Sequence, residues 1–395
     1  MNILQIIPSI ALIYGGPSQM VRGLSAALAA QGHDVTILTT NSNGDRGQAP
    51  LDVPLDRPLE QDGYQIRHYP CAPFRRYKYS APLIQWLKAN AHHYDIAHIH
   101  ALFSPLSSMA ARTCRNAGLP YILRPLGTLD PADLKKKALA KKLYAALLEA
   151  PNIGGAAALH FTSAKEQQTA QRFGHSPKDF VLPIGVTLPE LQDPDLPEQL
   201  RREYNLPPGR PLLLFLSRIA PKKGFDLLLP ALEQLRAEGL DFHLILAGGN
   251  PQDPAYEQGI YDQIDRSSLK AQVTRTGFVG GDRKRALLAL ADLFILPSYY
   301  ENFGIAAAEA LAAGLPVVMS NGVDIHKDVT ATESGWIHDC TIESLVEQLR
   351  QALKNPAERA IRGENARRCA ADRYGWEAIA QQLQTYYQQI ISAPA

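Results

Sequence analysis

Cysteine is scarce. Four in 395 residues, Cys71, Cys114, Cys340 and Cys369, are too scattered to frame a disulfide scaffold, and none stands at metal-ligand spacing. They imply reduced thiols in a cytoplasm, with no disulfide and no zinc site. No apolar run reaches the roughly 18 residues that spanning a bilayer requires. The apolar start, Met1 to Tyr14, is interrupted by Pro8 and lacks a basic preceding region, so a buried first strand is expected there and not a signal peptide. Neither sign of charge prevails over the chain, which carries a net +1, and nothing points to a nucleic-acid partner. Internal repeats and low-complexity segments are missing as well.

What remains is the composition of a soluble globular enzyme, 46% hydrophobic and 20% charged. The length predicts two domains. The charge is unevenly spread: 19 basic residues face 12 acidic ones through residue 188, a net +7, and 21 face 27 beyond it, a net −6. The two halves are therefore suited to different partners.

Asp292 to Ser320 reads as strand, loop, helix, strand. The apolar run Leu293 to Leu296 ends at Pro297, and the helix-forming run Ala306 to Ala313 stops at Gly314 with Pro316 beyond. Glu301-Asn302-Phe303-Gly304 lies between strand and helix, outside the carboxyl end of a strand, where parallel α/β units bind ligands. A helix N-terminus suits a phosphate, and Gly304 lets the backbone approach it. Glu301 and Glu309 are too far apart in the helix register to share a face as neighbours, so they serve different atoms and are suited to sugar hydroxyls. Taken singly, each would be an ordinary exposed acid.

Elsewhere the same alternation recurs. Asn2 to Ser9, Pro17 to Ala30 and Asp34 to Thr40 form a βαβ unit whose loop carries Gly15-Gly16, without the spacing of a dinucleotide fingerprint. Asn41 to Arg57 reads as a long mobile loop. In Tyr94 to Leu102, His98 and His100 fall on one face of a strand. Tyr121 to Arg124 is followed by Pro125-Leu126-Gly127 and a helix over Asp133 to Leu148 carrying Lys135, Lys136, Lys137, Lys141 and Lys142. With Arg75 to Lys78, that helix is either an ordinary solvated face or a surface for anionic lipid headgroups. Residues 188 to 210, with five prolines, read as the linker. Pro211 to Ser217 opens the second domain as a buried strand, followed directly by Arg218 and Lys223, which can neutralise a diphosphate.

The string S-x-x-E-N-F-G-x-x-x-x-E-A-x-A-x-G-x-P-V-V from Ser298 to Val318 resembles the signature of the retaining glycosyltransferases of family 4. Arg218 to Gly224 resembles the family's G-R-x-x-x-x-K-G motif with Ser217 in place of its Gly, and the likeness extends over nearly the whole chain. Ala306 to Ala308 and Ile184 to Thr187 depart from it. The resemblance implies an α/β GT-B fold: two Rossmann-like, doubly wound parallel-sheet domains facing a cleft, residues 1–188 on the acceptor side and 189–375 holding the nucleotide sugar. A final helix, 376–392, would cross back onto the first domain. It also implies site residues. Gly15, Gly16, Arg218, Lys223, Phe278, Val279, Asn302, Phe303, Gly304, Ile305 and Glu309 would hold the donor. His100 and Glu301 would contact the transferred sugar, and Arg124 and Gly127 would lie on the acceptor side. No cofactor is expected beyond the nucleotide-sugar substrate, UDP- or GDP-linked, and the reaction would need no metal. The acceptor would be a glycan or a lipid-linked glycan of cell-surface or exopolysaccharide assembly. Location would be cytoplasmic, with possible peripheral contact with an anionic membrane. The rivals are a sugar-nucleotide epimerase on the same fold and a non-catalytic nucleotide-sugar-binding scaffold.

Overall fold

Continuous runs of Leu, Ile and Val build two sheets. The computed structural model describes residues 1–45, 48–73, 78–130, 143–186, 191 and 193–393. The chain divides into one unit of Met1–Gly185 with Trp376–Ala395 and a second of Val186–Gly375.

The first unit holds β1 (Asn2–Ser9), β2 (Asp34–Thr40), β3 (Pro58–Gln61), β4 (Tyr64–Tyr69), β5 (Ile96–His100), β6 (Tyr121–Arg124), β7 (Ala158–Phe161) and β8 (Asp179–Val181). Their order in the sheet is β3-β4-β2-β1-β5-β6-β7-β8. All neighbours run parallel except the edge pair β3 and β4. That edge hairpin departs from the all-parallel expectation. Its turn is Asp62-Gly63, both at positive φ, 47° and 79°, the conformation that Asp-Gly supplies for a two-residue hairpin. The order of strands reverses beside β1, so the loops leaving β1 and β5 flank the first unit's switch point.

The described part of Asn41 to Arg57 is tied down and does not bear out a loose loop. Asn41 N–H donates to the Tyr69 carbonyl, Leu51 N–H to the Asn41 carbonyl, and Asp45 pairs with Lys78 at 2.8 Å. The lysine-rich stretch Lys135 to Lys142 and the residues Arg75 to Tyr77 lie outside the described residues.

The helix Trp376–Ile391 buries Ile379, Ala380, Leu383 and Tyr387 on one stripe within the first unit. Burial of Ile379 and of Leu383 contributes about 2 kcal/mol each. Trp376 fits against Gly23 and Gly185, where a Cβ on either glycine would collide with its ring.

The second unit holds β9 (Leu212–Leu216), β10 (His243–Ala247), β11 (Val273–Gly277), β12 (Leu293–Leu296), β13 (Val317–Ser320) and β14 (Gly335–His338), in the order β11-β10-β9-β12-β13-β14 and parallel throughout. β9, β10, β12 and β13 are buried at every position, as strands covered on both faces must be. The stretch 188–210 is not a bare linker. It contains a helix, Leu196–Glu203, because Pro197 falls in the first turn, where a missing N–H costs nothing.

Candidate active site

The second unit's strand order reverses between β9 and β12, and the loops leaving these two strands meet. After β9 the chain passes Ser217 and Arg218, makes a tight turn at Pro221–Lys223, and enters the helix Phe225–Ala237 through Gly224 at φ 73°. A Cβ at Gly224 would strike the Pro297 carbonyl, so only glycine allows this approach of the two loops. Tyr299 N–H donates to the Lys222 carbonyl at 2.9 Å, locking them together.

In the β12 loop, Glu301 N–H donates to the Gly322 carbonyl and the Glu301 carbonyl accepts from Asp324 N–H. With its backbone so held, Glu301 turns its carboxylate onto Lys223 Nζ at 2.6 Å and Lys222 Nζ at 3.3 Å. Burial raises the Glu301 pKa, but the two lysines outweigh it and hold the carboxyl below its ordinary range. Burial also lowers Lys223, which Glu301 opposes. Lys222 lies over the Tyr300 ring at 4.8 Å, a cation-π contact at the rim of the same loop.

Gly304, at φ 92°, caps the helix Ile305–Ala312 with no side-chain acceptor. Glu309, one turn into that helix, pairs with Lys284 Nζ at 2.6 Å, both side chains about one-sixth exposed. The two acids thus serve different lysines, as their spacing requires. Arg218 is exposed and donates to Gln252 Oε1 at 2.9 Å. Phe278 is 65% exposed, whereas Val279 is buried.

Three of the predicted site residues have buried side chains, which corrects the expected contact for Phe303. Phe303 is 3% exposed and packs edge-on against Tyr374 at 5.4 Å, so its side chain belongs to the core and only its backbone borders the loop with Asn302 and Ile305. In the first unit, Gly15 (φ 72°) and Gly16 open the helix Gly16–Ala30 as expected. His100, however, is fully buried, its Nε2 on Gln5 Oε1 at 2.7 Å and its ring stacked on His98 at 4.6 Å. Arg124 is 1% exposed, with Nη1 against Met20 Sδ, because the end of β6 tucks under the helix that follows β1. Neither side chain presents an open wall. Gly127 is half-buried and its N–H donates to Glu166 Oε1 at 2.7 Å.

Several participants were not read from the sequence. Lys222 adjoins a chosen lysine and was legible as its neighbour. Lys284 sits in the run Asp282 to Arg285, which looks like a solvated face. Glu166 follows Ser163 in an S-x-x-E pattern, a helix-start signal. Its Oε2 instead accepts from Thr162 N–H and Oγ1 while Oε1 holds Gly127.

Residues 197–369 match the family model described as glycosyl transferases group 1, and residues 15–185 match a glycosyl transferase 4-like domain. A D-inositol 3-phosphate glycosyltransferase of Xylanimonas cellulosilytica is 27% identical over 96% of this chain and 93% of its own. A GDP-mannose-dependent alpha-(1-6)-phosphatidylinositol monomannoside mannosyltransferase of Mycolicibacterium smegmatis is 29% identical over 54% of this chain and 57% of its own. Among solved structures, a sucrose-phosphate synthase from Thermosynechococcus elongatus superposes over 100% of both chains with a TM-score of 0.79 at 22% identity, a likeness of fold. The two matches, one across each unit, together with a relative aligned over 96% of the chain, make this chain a glycosyl transferase whose second unit is of the group 1 type.

Proposed function

We propose that this enzyme transfers a hexose from a UDP- or GDP-sugar to a glycan or lipid-linked acceptor, with retention of anomeric configuration and without a metal ion, in the assembly of a cell-surface polysaccharide. The observation that carries this is the pairing of Glu301 with Lys223 and of Glu309 with Lys284 on either side of the uncapped Gly304 helix terminus. Both carboxylates stand ready as acceptors. Glu309 takes the ribose diol and Glu301 the hydroxyls of the transferred sugar. Arg218, Lys223 and the helix N-terminus face the diphosphate and stabilise the charge that grows on it as the sugar leaves. The glycine turn at Gly277-Phe278-Val279 borders the base.

Retention calls for a carboxylate nucleophile or attack on the face the leaving group departs from. Without a second carboxylate assigned to this task, front-face attack is the better reading. The acceptor hydroxyl oxygen bonds the anomeric carbon as the bond from that carbon to the phosphate oxygen breaks, and the hydroxyl proton passes to the departing phosphate.

Replacing Glu309 with Ala weakens binding of the nucleoside diphosphate by roughly 1.5–3 kcal/mol, the loss of a charged acceptor. Calorimetry showing unchanged affinity would remove Glu309 from the site.

A lipid-borne acceptor is favoured by two neighbours of the lysine-rich stretch, Leu143 and Leu147, which are 63% and 67% exposed one turn apart. The name of the mycobacterial relative includes a phosphatidylinositol acceptor. Among the described residues no helix is long and apolar enough to cross a membrane, so contact would be peripheral. The test is release of nucleotide from UDP-, GDP- and ADP-sugars with and without membrane lipid extract, beside sedimentation with anionic vesicles. Release that requires the extract, and sedimentation lost at high salt, are expected. Release independent of any acceptor would favour an epimerase or hydrolase instead.

A further inference from the structure

Three histidines of the first unit, two at β5 and one at β7, are fully buried together with Gln5 of β1 and Tyr387 of the C-terminal helix. They form one connected chain of hydrogen bonds. His100 Nε2 meets Gln5 Oε1 at 2.7 Å, and Gln5 Nε2 meets Tyr387 Oη at 3.2 Å. Tyr387 Oη meets His98 Nδ1 at 2.8 Å, His98 Nε2 meets His160 Nδ1 at 3.3 Å, and His160 Nε2 meets the Leu182 carbonyl at 2.9 Å.

The donors in this chain are set from the Leu182 end. The Leu182 carbonyl only accepts, so His160 carries its proton on Nε2 and offers a lone pair at Nδ1. His98 must then donate from Nε2, which leaves its Nδ1 to accept from the Tyr387 hydroxyl. That hydroxyl oxygen accepts from the Gln5 amide N–H, and the Gln5 amide oxygen accepts from His100 Nε2–H. Every histidine is thereby fixed as the neutral Nε2–H tautomer, and the chain terminates at the lone pair of His100 Nδ1. Among the described residues that atom has no partner, and neither do Nε and Nη2 of the buried Arg124. His100 and Arg124 pair in register at the carboxyl ends of β5 and β6, and the segments that follow hold three non-glycine residues at positive φ: Ala101 at 62°, Phe103 at 58° and Leu126 at 56°. Backbone strain of this kind concentrates where a ligand is handled.

We infer that Gln5 and Tyr387 are positioning residues for His100: the chain they complete fixes its tautomer and turns Nδ1 into a hydrogen-bond acceptor for a substrate hydroxyl at the end of β5. This rests on the expectation, carried by the resemblance, that His100 contacts the transferred sugar; its ring is buried, and Nδ1 is the one ring nitrogen left to do so. It adds that His100 accepts and does not donate, and that the selecting groups lie 95 and 287 residues away in sequence, on the first strand and the last helix. The three rings are linked in series, His98 to His160 directly and His100 through Gln5 and Tyr387, and do not converge on a metal position; no metal-holding cluster occurs among the described residues.

The full-length enzyme labelled with ¹⁵N at histidine tests this by long-range ¹H–¹⁵N correlation at pH 7, with each ring assigned by its single His→Asn variant. His98, His100 and His160 should each show one protonated nitrogen, Nε2. A proton on Nδ1, or an imidazolium, at any of the three overturns the chain whatever the enzyme's substrate proves to be. Tyr387→Phe frees the Gln5 amide to turn over, so it should turn His100 into a mixture of tautomers, leave His98 held through His160 and the Leu182 carbonyl, and lower kcat roughly ten- to a hundredfold, the cost of a slightly misplaced group, with nucleotide Kd unchanged. A scrambled His100 tautomer with parental kcat overturns the positioning role while sparing the chain. Gln5→Leu repeats the kinetic arm if Tyr387→Phe does not fold. A parent enzyme that transfers no sugar would defeat the functional reading instead, and the tautomers are readable regardless.

Discussion

Lys223→Met is expected to destabilise the second unit by about 3 kcal/mol at pH 7, the low end of what breaking a buried ion pair costs. The substitution strands Glu301, whose carboxylate is 14% exposed and ionised because two lysines face it. Lys222, at 3.3 Å and 36% exposed, still offers partial compensation, which is why the upper end of the range is not reached. The effect has a pH signature. Glu301 is depressed below its ordinary value in the folded protein, so its contribution is present above the unfolded carboxyl pKa and is lost as pH falls through the folded one. Lys223→Met should therefore cost less at acid pH than at neutral pH. Adding Glu301→Gln removes the stranded charge and should recover most of the stability at pH 7, because a neutral pair needs no counter-ion. Turnover should not return in the double variant, since the diphosphate still lacks its lysine. Urea unfolding of the two variants decides the point: a single variant as stable as the parent would mean that the pair is solvated and contributes little.

Acid should loosen the first sheet before the second. Burial, with Arg124 adding to it, holds His98, His100 and His160 well below the ordinary histidine range, and burial beside Arg22 brings His68 down to about 4. A histidine depressed in the folded state stabilises the protein fully above the unfolded value near 6.5, and that contribution drains away as pH drops below it. Each histidine that stays neutral at pH 5 while its unfolded counterpart is charged forgoes about 2 kcal/mol. The groups around the cluster offer little relief: Arg124 repels further protons, and Tyr387 is neutral, its hydroxyl pushed up by burial. Glu166 is the acid nearest in effect, and it is already engaged by Gly127 and Thr162. The second unit has His243 and His338 lowered by burial, but no cluster. Hydrogen exchange from pH 7 to 5, corrected for the intrinsic rate, should show protection falling in β1, β5 and β7 well ahead of β9, β12 and β13. Equal losses in the two sheets would show that the histidine cluster does not govern acid stability.

The fold was legible where burial writes itself into a single segment. β9 and β12 are short, continuous apolar runs punctuated by Ser217 and Pro297, and no other element type suits them. The β3–β4 hairpin was not read because Pro58 to Gln61 is an edge strand with two polar residues in four, although Asp62-Gly63 between the strands is a strong turn signal. The helix of Leu196–Glu203 was masked by the prolines around it, one of which starts it. At the site, the string from Glu301 to Glu309 placed both acids and the glycine cap correctly on their elements, because loop and helix are contiguous in sequence. The lysines that hold those acids come from other elements, and only the fold brings them in. Sequence alternation put His98 and His100 on one face but gave no sign of how deep that face lies. Depth depends on Tyr387 and His160, neither of which is local.

Residues 376–395 belong to the first unit, whose other residues all precede position 186, and the helix Trp376–Ile391 within them supplies part of its core and of its hydrogen-bond chain. During synthesis, residues 186–375 emerge in full before the helix Trp376–Ile391 does, so the second unit is the first that can be finished. Until that helix arrives, Gly23 and Gly185 lack the Trp376 ring that packs on them and Gln5 lacks the Tyr387 hydroxyl. Translation order and order of completion are thus reversed for the two units.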